Sequence, residues 1–543
     1  MKPRLGIELA LLVAAVAAER FDERLDFKSL PNRRVLAHWT FTTTDTDFAQ
    51  PHYTLFPLGL GQILTTYDVS ELHLAMNAGQ WDYPSWGAPP GHSVASGAEM
   101  WAWLRSSPTA TRLNITQDID SRWSGLRSAI AGVFCASLGK LDGQRTIVPE
   151  VSFKPTSPLP AGRHQIRHAT LPAEIVCTEN LTPFIKLLPC KASAGVASLL
   201  NPHAMFAAPF HGLSVHFAGG VLTMSAQVVF TSNTVDWTLK SLLSRQIKTA
   251  CPVASSSVLA LAPGDEPSKT EAEARQQSDG AAHFDISTVA TPFDLTMTPS
   301  GASVAPVAPV VMIQRTITGS AQYNGGLSIN LFNTRNETVK IAYLESLPWF
   351  MTIYLSTLEV KLGGKLRPDL LETLRYHPSS GRAPAHFEPT LVLPPLGQVT
   401  LKCAMDRAFL LYTQHPPDAQ RGWDLPPAII TVLSIGQDTS IPPQTESGRG
   451  LGRQAILAMQ RPLGGDEKGS RIYAKTLLAD LPTPDFSMPY NVIIMSSTLI
   501  ALLFGNIFNV LTRPRVIVQV EKLVVEETEA SEAKHEAKPN TDS

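Results

Sequence analysis

Residues Val492–Leu511 read VIIMSSTLIALLFGNIFNVL: about twenty positions without a formal charge, the length one helix needs to cross the hydrocarbon core of a bilayer. This stretch decides the architecture, because one span leaves everything before it on one side of a membrane. The flanks choose the side. Arg513 and Arg515 follow at once while Asp485 precedes, and basic residues beside a span mark its cytosolic end. The sequence therefore predicts a type I membrane protein with a lumenal or extracellular bulk, a juxtamembrane segment 481–491, a transmembrane helix 492–511 and a cytosolic tail 512–543, acid-rich from Glu521. A signal that exchanges a C-terminus for a GPI lipid ends in its hydrophobic tail, and the hydrophilic tail here excludes that reading.

The other end agrees. Lys2 and Arg4 precede a mostly apolar run, Leu5–Ala18, interrupted at Glu8, too short to span and closing on the small residues Val16, Ala17 and Ala18. This is the pattern of a signal peptide, 1–18, with cleavage expected after Ala18.

Working inward, 543 residues exceed what one hydrophobic core usually organises, so two lumenal domains are expected, 19–251 and 310–480. Between them, 252–309 is dominated by Ala, Ser, Pro, Thr and Gly with a charged patch at 264–280, and reads as a low-complexity loop or linker. An apolar fraction of 44% suffices for sizeable cores, while a net charge of -2 without a basic stripe excludes nucleic-acid binding.

Strand-like runs recur between Pro and Gly punctuation: Arg34–Thr44, Leu213–Phe217 and Thr223–Phe230, then Val311–Thr318, Leu327–Leu331, Thr338–Leu344, Thr352–Val360, Thr390–Leu393 and Val399–Ala404. The expected fold is mainly β, with sandwich-like lumenal domains, a few helices and one C-terminal transmembrane helix. Gly97–Leu104 alternates as a half-buried strand should. Ser124–Leu138 has helical spacing that places Cys135 on an apolar face as an inert core thiol.

Five cysteines, Cys135, Cys177, Cys190, Cys251 and Cys403, cannot all pair internally, so at least one thiol is free or bonded to another chain. N-glycosylation sequons at Asn114, Asn180 and Asn336 all precede the span. Catalytic motifs are missing: His164 and His168 stand four apart without the Glu of a zinc-peptidase helix, Gly91–Ala95 lacks the last Gly of a nucleophile elbow, and Gly464–Ser470 has its Lys before the Gly. No metal or cofactor is expected. Two alternatives from other classes are a lumenal hydrolase, for which there is no recognisable acid pair, and a glycan-binding receptor using Trp81, Trp86 and Trp101.

Several blocks are too specific for composition to explain: Phe56-Pro57 with Gly61-Gln62 and Glu71–Leu74, Ser96–Trp101, Val133–Leu138, Ser152–Pro155, Val176–Pro183 (VCTENLTP) with Leu187–Cys190 (LLPC), and Leu481–Val492 (LPTPDFSMPYNV). In that order they resemble the PIG-T family, the phosphatidylinositol-glycan class T subunits of GPI transamidase, from about Arg34 to Arg513. The resemblance implies a non-catalytic subunit of an endoplasmic-reticulum membrane complex that joins GPI anchors to proproteins. Its implied partners are a cysteine-protease-like PIG-K subunit that performs the chemistry, PIG-S, PIG-U and a metallopeptidase-like anchor-attachment subunit, the GPI glycolipid and the proprotein substrates.

On cysteine count alone, an internal Cys177–Cys190 bridge closing a short loop is favoured. The resemblance instead implies that Cys177 forms the interchain disulfide to PIG-K; Cys190 and Cys251 then become the internal pair, and Cys403 a buried free thiol. It also makes Asp485, Ser487 and Asn491, polar residues at the lumenal rim of the span, candidates for contacting the GPI headgroup, the alternative being that Asp485 and Ser487 cap the incoming helix. Asn506 and Asn509 within the span are costly facing lipid and are expected to meet a neighbouring helix.

Overall fold

Val35, Leu36, Ala37, Trp39 and Phe41 are all buried although consecutive side chains of a strand point to opposite faces, so the sheet containing them is covered on both sides. The computed structural model describes residues 19–514 apart from 46–53, 91–92, 112, 233, 235, 264, 270–274, 277–280, 289–291, 300–307, 320, 417, 419–420, 437–468 and 484–486. The proposed signal peptide therefore lies outside the described residues.

The first part of the chain runs β1 (Glu19–Leu30), β2 (Arg34–Asp45), α1 (Leu58–Thr66), β3 (Val69–Ala78), β4 (Gly97–Arg105), α2 (Ile115–Phe134), β5 (His164–Leu171), α3 (Thr178–Leu187), β6 (Phe210–Ala218), β7 (Val221–Thr231), β8 (Ser256–Leu261) and β9 (Ala282–Asp285). With two short strands at its margins, Arg275–Gln276 and Thr146–Ile147, it forms an eleven-stranded sheet whose inner order is β9-β8-β1-β2-β7-β6-β3-β4-β5. One face is packed by the helices. On α2, Ile119, Trp123, Leu126, Ile130 and Phe134 recur every three or four residues and are buried, joining Leu25, Trp39, Leu72 and Met100 in one core.

The second part comprises β10 (Val311–Thr318), β11 (Asn324–Asn333), β12 (Val339–Leu347), β13 (Met351–Leu362), β14 (Leu371–His377), β15 (Ala385–Leu393), β16 (Gln398–Arg407), β17 (Trp423–Leu425), β18 (Ile429–Ile435), β19 (Arg471–Tyr473) and β20 (Leu477–Ala479). Two five-stranded sheets, β10-β11-β16-β13 with Lys365–Leu366 and β14-β15-β12-β18-β19, face each other as a sandwich over Ile329, Tyr343, Phe387, Leu401 and Val432. A third cluster lies on the other face of the eleven-stranded sheet: Leu36, Trp81, Trp101, Phe153 and Phe210 meet Leu344, Ile429 and Tyr473 of the sandwich.

The way this sheet is covered and extended explains two differences from expectation. Gly97–Leu104 is buried on both faces except at Trp103, not half-buried. Within the stretch read as a loop, Val258, Leu259, Ala260 and Leu261 form β8, which pairs parallel to β1 with Asp22 opposite Ser256. A short apolar run carries no periodicity that separates strand from loop until the edge of β1 is there to receive it. The stretch Arg471–Ala479 holds two short strands, β19 and β20.

A separate helix, α4 (Ser487–Thr512), starts ahead of the predicted span; Tyr490–Thr512 is long and apolar enough to cross a membrane and is exposed along its length. The fold is thus mostly β with one C-terminal apolar helix.

Candidate functional site

The five cysteines sort by chemistry. Cys190 and Cys251 are joined in a disulfide between Cα atoms 5.9 Å apart. Cys403 is buried in the sandwich core, where loss of hydration pushes its thiol up to about 11, with Glu345 adding to the shift; that thiol is inert. Cys177 and Cys135 remain.

Cys177 is the N-cap of α3, half-buried, with extended backbone. Val176 before it and Leu181 and Phe184 after it are drawn into the helical core, which leaves the cap at the surface. Its N–H donates to Asn180 Oδ1 at 2.8 Å, as the third residue of a capped helix does. The same Asn180 uses its Nδ2 to donate to Phe134 O at 2.9 Å and Cys135 O at 3.3 Å, so one amide ties the start of α3 to the end of α2. Asn180 is 1% exposed. Its Nδ2, the atom a glycan would occupy, is buried and engaged in the fold. Asn114, at the N-cap of α2, and Asn336, in the turn between β11 and β12, are exposed.

Cys135 departs from expectation too. The helix ends at Phe134, and Cys135 takes a left-handed conformation, φ 52°, that turns it into solvent. It is a second accessible thiol beside Cys177, not a core one.

Sequence reasoning missed a buried polar network on the face of the large sheet that meets the sandwich. Glu71 Oε1 lies 2.7 Å from His73 Nε2 and accepts from Thr156 Oγ1 at 2.7 Å, while His73 and His216 share a hydrogen between Nδ1 atoms 2.8 Å apart. Burial holds the Glu71 carboxyl up at about 7 against the donors from Thr156. On the neighbouring strand Glu99 accepts from His168 Nε2 at 2.9 Å, Ser93 Oγ at 2.5 Å and Tyr473 Oη at 2.8 Å. Burial opposes its charge, but His168, Ser93 and Tyr473 outweigh that and hold Glu99 below the usual carboxylate range. Arg471 lies over the rings of Trp101 and Phe153 at 4.9 and 4.4 Å. No motif announces this network, because its members are dispersed over the whole chain.

The network encloses a void of about 10 Å³, room for one water molecule and for no substrate. A wider cleft of about 250 Å³, lined by Trp81, Tyr83, Met312 and Lys475 among others, contains one carboxylate, Asp82, and so no acid–base pair for a hydrolase. Trp81 and Trp86 pack edge-on at 5.1 Å, and Trp101 stacks on His73 at 3.8 Å; all three are core residues, not a sugar platform. His164 bonds Ser70 and His168 bonds Glu99, each separately engaged. Among the described residues no three His, Cys, Asp or Glu side chains converge as a metal ion requires.

Of the juxtamembrane candidates, Asp485 lies outside the described residues, Ser487 opens α4, and Asn491 is exposed on its first turns. Asn506 and Asn509, three apart and hence on neighbouring positions of one side, are exposed further along the same helix.

The profile of a family described as "Gpi16 subunit, GPI transamidase component" matches residues 6–231 and 228–538. The chain is 30% identical over 564 residues to "GPI-anchor transamidase component PIGT" of Mus musculus, spanning 94% of each chain. It is 30% identical over 535 residues to the protein of the same name in Homo sapiens, spanning 90% of each. It is 28% identical over 579 residues to "GPI transamidase component GPI16" of Saccharomyces cerevisiae, spanning 92% of this chain and 89% of the relative. Among solved structures, the major pilin SpaA of Corynebacterium diphtheriae overlaps 43% of this chain and 50% of its own at a TM-score of 0.16 and 12% identity, which bears on nothing further.

Proposed function

This chain belongs to the Gpi16 family of GPI transamidase components, and from that premise we propose a non-catalytic scaffold that holds a cysteine-protease-like PIG-K partner and positions glycolipid and proprotein for it at the endoplasmic-reticulum membrane. The observation that carries this reading is Cys177, an unbonded thiol at the N-terminal end of α3, a helix followed three residues past its other end by Cys190 of the Cys190–Cys251 bridge. A disulfide from that position keeps a partner at an effective concentration that a modest interface does not supply.

The rest of the proposal follows the chain toward the bilayer. Asp485, Ser487 and Asn491 contact the GPI headgroup, their donors and acceptors matching sugar hydroxyls and the Asp485 carboxylate matching an ammonium. Asn506 and Asn509 face a helix of another membrane subunit, PIG-U or PIG-S among the candidates. The bulk is lumenal and the C-terminus cytosolic.

The test is a non-reducing gel of microsomes with thiols blocked at lysis. Wild type gives a heavier band that collapses with reductant, and Cys177→Ser lacks it. If the wild type runs at the monomer position, the covalent scaffold is wrong.

A further inference from the structure

A strand at the edge of a sheet invites further pairing unless charge, proline or a covering group blunts it. In the sandwich three edges are blunted. β14 presents the exposed charges of Glu372 and Arg375, and β13 those of Glu359 and Lys361 before the chain folds back through Lys365–Leu366. At β19, Ala474 N bonds Ala428 O, which points the N–H of Tyr473 outward, and it donates to Tyr83 Oη at 2.9 Å. The fourth edge, β10, opens with Val311, Met312 and Ile313 and no charge. Its one charged residue, Arg315, is turned into the core, where it meets Glu345 and donates to Pro426 O and Lys475 O at 2.8 and 3.0 Å.

Register says which groups of β10 are open. Alternate residues of an antiparallel strand bond the same neighbour. Thr334 N donates to Val310 O and Asn333 N to Gly397 O, each at 3.0 Å, so Asn333 bonds toward β16 and not toward β10. Val311 and Ile313, opposite Asn333 and Leu331, therefore turn their N–H and C=O groups away from β11. On that side lies the cleft of about 250 Å³, where Met312 and Ile313 face Ile472 and Lys475, with Trp81 and Tyr83 completing the walls. Val311 is buried at this edge and Ile313 is half-buried. Among the described residues no group bonds the outward N–H and C=O of Ile313.

We propose that an extended apolar segment of another subunit of the complex adds as a strand to the edge of β10 at this cleft. One of its residues exchanges two main-chain bonds with Ile313, and an apolar side chain beside it enters the cleft against Tyr83 and Ile472. Main-chain groups left open beside an apolar wall call for a main-chain partner, and strand addition supplies one. The cleft holds one carboxylate, Asp82, and one ammonium, Lys475, so it has no net charge to attract an anion or a cation. It is also smaller than the roughly 300–1,000 Å³ of small-molecule sites. A resident subunit fits better than a passing proprotein, because an unblunted edge needs a lasting cover. The inference rests on the chain being one component of a complex and is independent of Cys177.

The test places the photocrosslinker p-benzoylphenylalanine at Lys475, exposed at the cleft, in the full chain assembled in microsomes. Irradiation is expected to give an adduct with another resident subunit, identified by mass spectrometry and unchanged when proprotein synthesis is blocked with cycloheximide. Two variants probe the pairing. Ile313→Pro deletes the outward N–H while the ladder to β11 keeps its bonds, the kind of edge position that tolerates proline. Met312→Lys puts a charge on the open edge. In each, the adduct is expected to fall about tenfold while the chain's resistance to trypsin is unchanged; if one variant loses that resistance, the other decides. No adduct, an adduct within the chain itself, an adduct that vanishes with proprotein synthesis, or one that a trypsin-resistant variant leaves at the wild-type level overturns the proposal. Loss of the high-mass band at Cys177 with this adduct retained overturns the covalent scaffold alone.

Discussion

Tyr473 donates its phenolic hydrogen to Glu99 Oε2 across 2.8 Å, joining two strands 374 residues apart in sequence. Both residues are buried, and Tyr473 N donates to Tyr83 Oη at 2.9 Å, so the contact is knitted from main chain and side chain together. A hydroxyl donating to a buried carboxylate is among the stronger polar contacts a protein makes, and this one lies on the seam between the eleven-stranded sheet and the sandwich. The seam is therefore held by directional bonds as well as apolar area.

Tyr473→Phe keeps the ring and removes the donor. The expected cost is about 1–3 kcal/mol, since Glu99 stays buried with one partner fewer. Chemical denaturation of the full chain in detergent should show the loss; an unchanged midpoint would mean that the bond contributes nothing net.

The second clasp of the seam is Glu388 on β15. Its carboxylate accepts from the backbone N–H groups of Glu150, Val151 and Ser152 and from Ser152 Oγ, at 2.6 to 3.2 Å. Glu388→Ala orphans these donors in a buried place and should cost on the order of 3 kcal/mol. Proteolysis is the convenient measurement: cleavage near residues 148–156 should accelerate in the variant.

Glu71 gives a pH signature. Its folded pKa of about 7 exceeds the ordinary 4.5, so the folded chain binds a proton that the unfolded chain releases between those values. The contribution to stability is fully present below pH 4.5 and is lost as pH rises through 7. Glu71→Gln cannot ionise, so its melting temperature relative to wild type should rise from pH 5 and level off above about pH 7. A difference that stays flat across that range would show that Glu71 is already ionised in the fold.

Two accessible thiols make the interchain bridge a discriminating experiment. Cys177→Ser should abolish the reductant-sensitive high-mass band and Cys135→Ser should leave it. The reverse pattern would move the bridge to the end of α2.

Glycan mapping tests the burial of Asn180. Endoglycosidase treatment should produce a smaller mobility shift in Asn114→Gln and in Asn336→Gln than in wild type, and an undiminished shift in Asn180→Gln. The last variant should still be destabilised by roughly 1–2 kcal/mol, because it breaks the link between α2 and α3.

Much of this was legible in the chain itself. Arg34–Thr44, Val311–Thr318 and Val399–Ala404 become β2, β10 and part of β16 close to their predicted limits, because period-two alternation and β-branched residues are local properties. Cys135 shows the opposite case. Its helical spacing holds as far as Phe134, but where a helix stops depends on what the next residues pack against, and one residue past the end a core position becomes a solvent position.

The sequence alone determined the mainly β content, the apolar C-terminal helix and the family, since a charge-free run and ordered sequence blocks need no partner to be recognised. Only the tertiary structure decided that the large sheet is covered on both faces, that Glu71, Glu99, His73, His168, His216 and Tyr473 belong to one buried seam, that Asn180 is a structural amide and that Cys135 is exposed. The reason is physical: a polar side chain's role is set by which donors, acceptors and apolar surface surround it, and those come from residues that the chain brings together only on folding.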